Sequence, residues 1–133
     1  MTVNGEKTQA PVEKGYAVLN RTWNDGDEIG LTMEMPVEVV AADPRVKADE
    51  GKRAIQRGPL VYCMEEVDNP KAQYDASKLS ANTTFKTAFD TNLLEGVETI
   101  DATTDGQTFR LIPYYAWDNR EAGRMQVWID YKE

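Results

Sequence analysis

Three kinds of residue in this 133-residue chain could do chemistry: its carboxylates, its single cysteine and a run of aromatics near the C-terminus. Acidic side chains invite a glycosidase reading, in which two carboxyls flank the bond to be cleaved. On one strand such a pair must share a face, at i and i+2 or i+4. Glu65 and Glu66 are adjacent and point to opposite faces. Asp25, Asp27 and Glu28 surround an Asp-Gly turn, where Asp is favoured for backbone reasons, and Asp101 and Asp105 flank another turn. No spacing brings two of them together, and all are expected as solvated turn groups. The string Asn24-Asp25-Gly26-Asp27-Glu28 also lacks the alternating ligands and distant bidentate Glu of a calcium loop. Cys63 lies in Leu60-Val61-Tyr62-Cys63-Met64, which expects a small apolar core residue rather than a thiolate. Period-two alternation puts Tyr115, Trp117 and Asn119 on one face, with Arg120 next to them. Flat rings beside planar polar groups could form a carbohydrate-binding platform; core or interdomain packing is the expected role of such large aromatics, and Trp23 and Trp128 compete for either role.

The elements that must position these groups read as strands. Tyr16, Val18, Asn20 and Thr22 alternate with Ala17, Leu19, Arg21 and Trp23, and Ile29, Leu31, Met33 and Met35 share a face beyond the Asp-Gly turn. Residues 15–35 are therefore expected as a hairpin, with Pro36 ending its second strand. Val37, Val39 and Val40 continue extended until Asp43-Pro44 turns the chain. In the most apolar stretch, 54–64, Gly58-Pro59 suggests a bend where one strand passes between sheets. Residues 65–84 read as a long polar loop with a helical turn near Gln73–Leu79. Strands resume at 85–89, 97–102 and 109–113, and a last hairpin joins 114–117 to 125–131. About eight or nine strands at roughly 8–12-residue spacing predict an all-β antiparallel sandwich, jelly-roll-like, with little or no helix. No domain boundary shows, so residues 1–133 read as a single β-sandwich domain.

Composition narrows the function. Fifteen basic against 23 acidic residues give a net charge of −8, which disfavours nucleic acid and anionic membranes as partners. Without histidine there is no Ser–His triad and no His-ligated metal, and one cysteine permits neither an internal disulfide nor a Cys-rich zinc site. No apolar run approaches the roughly 20 residues of a membrane span, and nothing resembles a signal-peptide core. Thr2-Val3-Asn4-Gly5-Glu6-Lys7 reads as a strand entering an Asn-Gly turn, so the chain is expected to open in mid-hairpin as a piece of a longer protein.

Two segments carry a resemblance. One runs from Gly15-Tyr16-Ala17-Val18 through Trp23, Gly26-Asp27 and Asp43-Pro44-Arg45-Val46 to Gln56-Arg57-Gly58-Pro59-Leu60-Val61-Tyr62-Cys63. The other is Ile112-Pro113-Tyr114-Tyr115-Ala116-Trp117-Asp118-Asn119-Arg120 with Met125-Gln126-Val127-Trp128, and Leu93-Leu94-Glu95-Gly96-Val97 fits as well. Together they resemble the C-terminal β-sandwich region of glycoside hydrolase family 127, the β-L-arabinofuranosidase-like enzymes, from about residue 3 to 131. The resemblance implies a parent with a helical α/α barrel followed by β-sandwich domains. It also implies retaining hydrolysis in that barrel by a cysteine nucleophile on zinc, with a glutamate acid/base. Cys63 does not match that nucleophile. For this chain the resemblance implies an accessory domain without catalytic, cofactor or metal residues, partnered by the helical barrel or a second copy. A carbohydrate-binding module using Tyr115, Trp117, Asn119 and Arg120 is the alternative.

Overall fold

The computed structural model describes residues 1–70, 74–75 and 77–132. They form two compact units, Met1–Glu34 and Met35–Glu133, where the sequence pattern marks no boundary.

In the first unit, strands β1 (Thr2–Val3), β2 (Glu6–Lys7) and β5 (Ile29–Gly30) make a sheet in the order β2-β1-β5, and β3 (Val12–Glu13) pairs with β4 (Tyr16–Ala17). Both short hairpins turn on a residue pair at positive φ, Asn4-Gly5 at 51° and 81° and Lys14-Gly15 at 52° and 87°. Such turns match the right-handed twist of the strands they join. The hairpin expected over 15–35 does not form. Tyr16–Ala17 pairs backwards with Val12–Glu13, and Ile29–Gly30 pairs with Thr2–Val3. Alternation makes a segment extended without choosing its partner, and the Asn-Gly turn had already brought β1 to hand. Ile29, Leu31 and Met33 are exposed at 56%, 64% and 73%.

The second clip in this unit is a side-chain network. Asn4 donates from Nδ2 to Asp27 Oδ1 at 2.8 Å and accepts the Glu28 amide at 2.8 Å. Asp27 Oδ2 accepts the Asn24 amide at 2.9 Å. These donors, chiefly the Asn24 amide and the Asn4 side chain, hold the Asp27 carboxyl below its ordinary 3.8.

In the second unit nine strands form one sheet: β6 (Val37–Ala41), β7 (Lys52–Arg57), β8 (Leu60–Glu65), β9 (Leu79–Ser80), β10 (Thr84–Asp90), β11 (Val97–Thr104), β12 (Gln107–Pro113), β13 (Met125–Gln126) and β14 (Ile129–Lys132). The order is β10-β11-β12-β8-β7-β14-β9, with β13 also on β8 and β6 on β7, all antiparallel except β14 with β9. The fold is all-β and sandwich-like, as the strand pattern predicts. β8 runs near the middle and from Tyr62 to Glu65 is buried on both faces. Tyr62 and Met64 face one cluster with Ile55, Ile100, Phe109, Leu111 and Ile129. Cys63 faces a second with Leu93, Val97, Ile112 and Ala116. Alternation on a strand covered on both sides explains why 60–64 reads as continuously apolar.

Three expectations need correcting here. Gly58-Pro59 does not bend one strand between sheets: Arg57 pairs with Leu60, so the two residues are the turn of the β7–β8 hairpin. Gly58 has φ 56°, which a glycine-first hairpin turn requires. Residues 114–117 are not a strand but a turn of 3₁₀ helix, Tyr114–Ala116. The last hairpin is therefore absent, and 125–131 splits into β13 and β14, which pair with β8 and with β7 and β9. Tyr74 and Asp75 are helical, and Leu79 begins a short strand. The rest of the helical turn expected at Gln73–Leu79 includes residues 73 and 76, outside the described residues.

Because Asp27 is held ionised in the folded unit, its contribution is present above the ordinary carboxylate range and is lost as pH falls through the depressed folded value. Amide resonances of Asn24 and Glu28 followed by NMR during acid titration are expected to move with a midpoint below the ordinary 3.8. In Asp27→Asn that acid step disappears; a step unchanged by the substitution contradicts the assignment.

Candidate functional site

The residues singled out by the sequence gather where the chain leaves β12. Pro113, at φ −57°, admits the 3₁₀ turn, and Ala116 sinks into the second cluster at 3% exposure. With three residues per turn, i and i+3 eclipse. Tyr114 and Trp117 therefore share a side, with ring centroids 6.3 Å apart, in place of the Tyr115–Trp117 pairing expected from alternation. Trp117 is half-buried and packs against the Cys63–Ile112 cluster. Tyr115 points away from it and is 65% exposed. Asn119 is exposed, and its Nδ2 donates to the carbonyls of Ala116 at 3.2 Å and Trp117 at 3.0 Å.

Arg120 belongs to a different structure. It donates from Nη1 and Nη2 to both Asp68 oxygens at 2.6 Å, and from Nη2 to Glu65 Oε2 at 2.6 Å. Glu65 Oε1 accepts the Asp118 amide at 2.9 Å, and Glu65 is only 5% exposed. The neighbouring carboxylate, Glu66, takes the other arginine of the loop: Arg124 Nε reaches Glu66 Oε2 at 2.9 Å, and its Nη1 reaches Asp75 Oδ1 at 2.7 Å. Adjacent glutamates on opposite faces thus capture two arginines four residues apart. The Asp68 and Glu65 carboxylates hold the Arg120 guanidinium more firmly charged than usual. Asp68 is positioned by Asn69, which is 1% exposed and locks to β12. Its Nδ2 donates to the Arg110 carbonyl at 3.0 Å, and its Oδ1 accepts the Arg110 amide at 2.8 Å.

The expectation of solvated turn carboxylates fails at Glu65, and Arg120 is engaged in ion pairs rather than set on an open platform. No spacing in the sequence signals this pairing, since the glutamates are adjacent and the arginines four residues apart; they meet only when the loop folds back. Asp101 lies within β11 and pairs with Arg110 at 3.4 Å; Asp105 sits at φ 47° in the β11–β12 turn as expected. Cys63 is fully buried, and burial above all, with Glu65 and Asp68 adding to it, pushes its thiol up to about 12. Burial in an apolar cluster disfavours the thiolate that nucleophilic or metal-binding chemistry needs. Among the described residues no group of three or more His, Cys, Asp or Glu could hold a metal ion.

Removing one member of a buried ion-pair set strands the others. Arg120→Met is expected to cost about 3 kcal/mol in urea unfolding. Arg120→Lys, which keeps the charge but loses the forked geometry, should fall between it and the parent chain. For Cys63, a thiol reagent is expected to react only as the chain unfolds, so the labelling rate should follow denaturant concentration; rapid native-state labelling would contradict its burial.

The chain matches two family models, "Glycoside hydrolase family 127 C-terminal domain" over residues 37–130 and "Beta-L-arabinofuranosidase, GH127 middle domain" over residues 1–35. Their boundary falls at that between the two compact units. Among curated proteins, it is similar to a non-reducing end β-L-arabinofuranosidase of Bifidobacterium longum, at 36% identity over 96% of this chain and 23% of the relative. Among solved structures it is similar to a GH127 β-L-arabinofuranosidase from Geobacillus stearothermophilus T6, at TM-score 0.79 and 39% identity, covering 98% of this chain and 24% of the other. A second GH127 β-arabinofuranosidase superposes at TM-score 0.85 and 33% identity, over 98% of this chain and 23% of the other. The chain spans about a quarter of the length of these relatives. With the family model matched along most of its length and solved members superposing over nearly all of it, the chain belongs to glycoside hydrolase family 127, whose C-terminal domain it carries.

Proposed function

We propose that this chain is a non-catalytic accessory portion of a β-L-arabinofuranosidase-like glycoside hydrolase, supporting the helical-barrel catalytic portion of its parent. The observation that carries the reading is end-to-end coverage by the middle-domain and C-terminal-domain models in a chain about a quarter as long as its relatives. Side-chain chemistry supports it. Glu65, Asp68 and Arg120 are engaged with one another, and Cys63 is buried and uncharged. The zinc implied for the family belongs in this reading to the catalytic portion.

Uncovered apolar surface supports a partner for each unit. In the first, Val12, Tyr16, Leu31 and Met33 are all more than 60% exposed. In the second, Val61, Tyr114, Met125, Val127 and Trp128 line an open cleft of about 500 Å³. Large apolar side chains exposed in such number on a free monomer are unusual, and an open apolar cleft marks an interaction site. We assign these surfaces to the parent's helical barrel; a second copy of the chain is the other occupant the assignment must exclude.

The chain is expected to show no turnover of an aryl β-L-arabinofuranoside, with or without zinc. Reproducible hydrolysis that is lost in Cys63→Ser overturns the accessory reading. Light scattering is expected to show a monomer for the isolated chain, and a stable dimer moves the apolar surfaces to the second occupant.

A further inference from the structure

The segment between β10 and β11 runs through three consecutive residues at positive φ: Leu94 at 47°, Glu95 at 65° and Gly96 at 113°. The left-handed region is unfavourable for a side chain as bulky as leucine, and such outliers concentrate at clamps and binding sites. Across from them, Asp118 at φ 59° ends the Tyr114–Trp117 turn. Between these two loops lies a depression of about 280 Å³, lined by Leu94, Gly96, Val97, Tyr115, Ala116 and Asn119. The φ of 113° is what calls for glycine at position 96, and a Cβ there would push aside the exposed ring of Phe89, 2.6 Å away at Cζ. Two exposed rings therefore border the glycine, Tyr115 at 65% and Phe89 at 62%.

We propose that this depression is a subsite for one neutral sugar residue. Its chemistry is complementary to such a ring. Tyr115 offers a rigid exposed face for the apolar C–H side of a sugar. Asn119 has its Nδ2 committed twice to the loop's own carbonyls, which orients the amide and leaves Oδ1 as an acceptor for a hydroxyl. Glu95 and Asp118, both exposed in the flanking loops, add acceptors and no cation. No Lys or Arg lines the depression, and with the chain's net charge of −8 this disfavours a phosphate or carboxylate ligand. The volume lies just under the range of roughly 300–1,000 Å³ of drug-sized sites, which limits the occupant to one small ring. The subsite keeps Tyr115 and Asn119 from the platform expected from the sequence. It replaces Trp117, which is packed, and Arg120, which is ion-paired, with the Leu94–Gly96 wall. It lies on the second unit alone and does not depend on the accessory role.

The test is a titration of the ¹⁵N-labelled 133-residue chain with L-arabinose, D-xylose and D-galactose, and with mannitol as an open-chain control. Saturable shifts at the amides of Gly96, Tyr115 and Asn119, with an affinity in the roughly millimolar range set by so few contacts, are expected for at least one sugar and not for mannitol. Tyr115→Ala, at an exposed position, should weaken binding by about tenfold or more, while Tyr115→Phe keeps it. Tyr16→Ala, an exposed ring in the other unit, should leave it unchanged. Absent shifts, equal shifts with mannitol, or binding indifferent to Tyr115→Ala each overturn the subsite.

Discussion

The Arg120 guanidinium, with 21% of its side chain exposed, lies 2.6 Å from carboxylates contributed by Glu65 and Asp68. Charges so far from water must be matched, since an unpaired buried ion costs several kcal/mol. That requirement fixes the path of the chain after β12. The loop carrying Arg120 has to return over the end of β8, and Glu65 closes it further by accepting the Asp118 amide. Once the loop is placed, Arg124 meets Glu66 and β13 falls into register with β8, Met125 opposite Glu65 and Gln126 opposite Met64. One guanidinium nitrogen, Arg120 Nε, is buried without a hydrogen-bond partner, a cost the three short charged bonds offset.

The same constraint explains the inertness of the cysteine. Cys63 lies on the face of β8 that the returning loop covers, among Leu93, Val97, Ile112 and Ala116. Covering that face removes water, and the carboxylates that hold the loop add negative potential, so burial and charge both disfavour a thiolate. What keeps the loop down also keeps the thiol from chemistry. The loop's outer side stays uncovered: Ala116 anchors the 3₁₀ turn inward, and Tyr115 is consequently presented outward.

Much of the fold was legible because strands advertise themselves locally. β10, β11 and β12 fall within a residue or two of their predicted spans, and Asp43-Pro44 turns where expected, with the Val46 amide on the Asp43 carbonyl at 2.8 Å. The family resemblance, carried by strings such as Gln56-Arg57-Gly58-Pro59 and Ile112-Pro113-Tyr114-Tyr115, agrees with the family models and the solved relatives. The errors were of another sort. Period two at 114–119 is also compatible with a tight turn, because two exposed tyrosines and a small buried alanine satisfy either. Gly58-Pro59 interrupts an apolar run whether the chain bends or reverses. Residues 16–23 and 29–35 alternate well, yet their partners are decided by β1 and β3.

By itself, then, the sequence determined the strands β10 to β12, several of the turns that need positive φ, the family and the absence of histidine and of paired cysteines. Backbone preference and composition are properties of neighbouring residues, and they survive without a fold. Only tertiary structure decided that Glu65 is buried, that Arg120 is an ion-pair partner instead of part of a platform, and that Tyr115 and Asn119 face Gly96 across a depression. Those outcomes depend on pairs separated by 55 residues between Glu65 and Arg120 and 52 between Asp68 and Arg120. The free energy of burying charge couples such residues only after the sheet has brought them together.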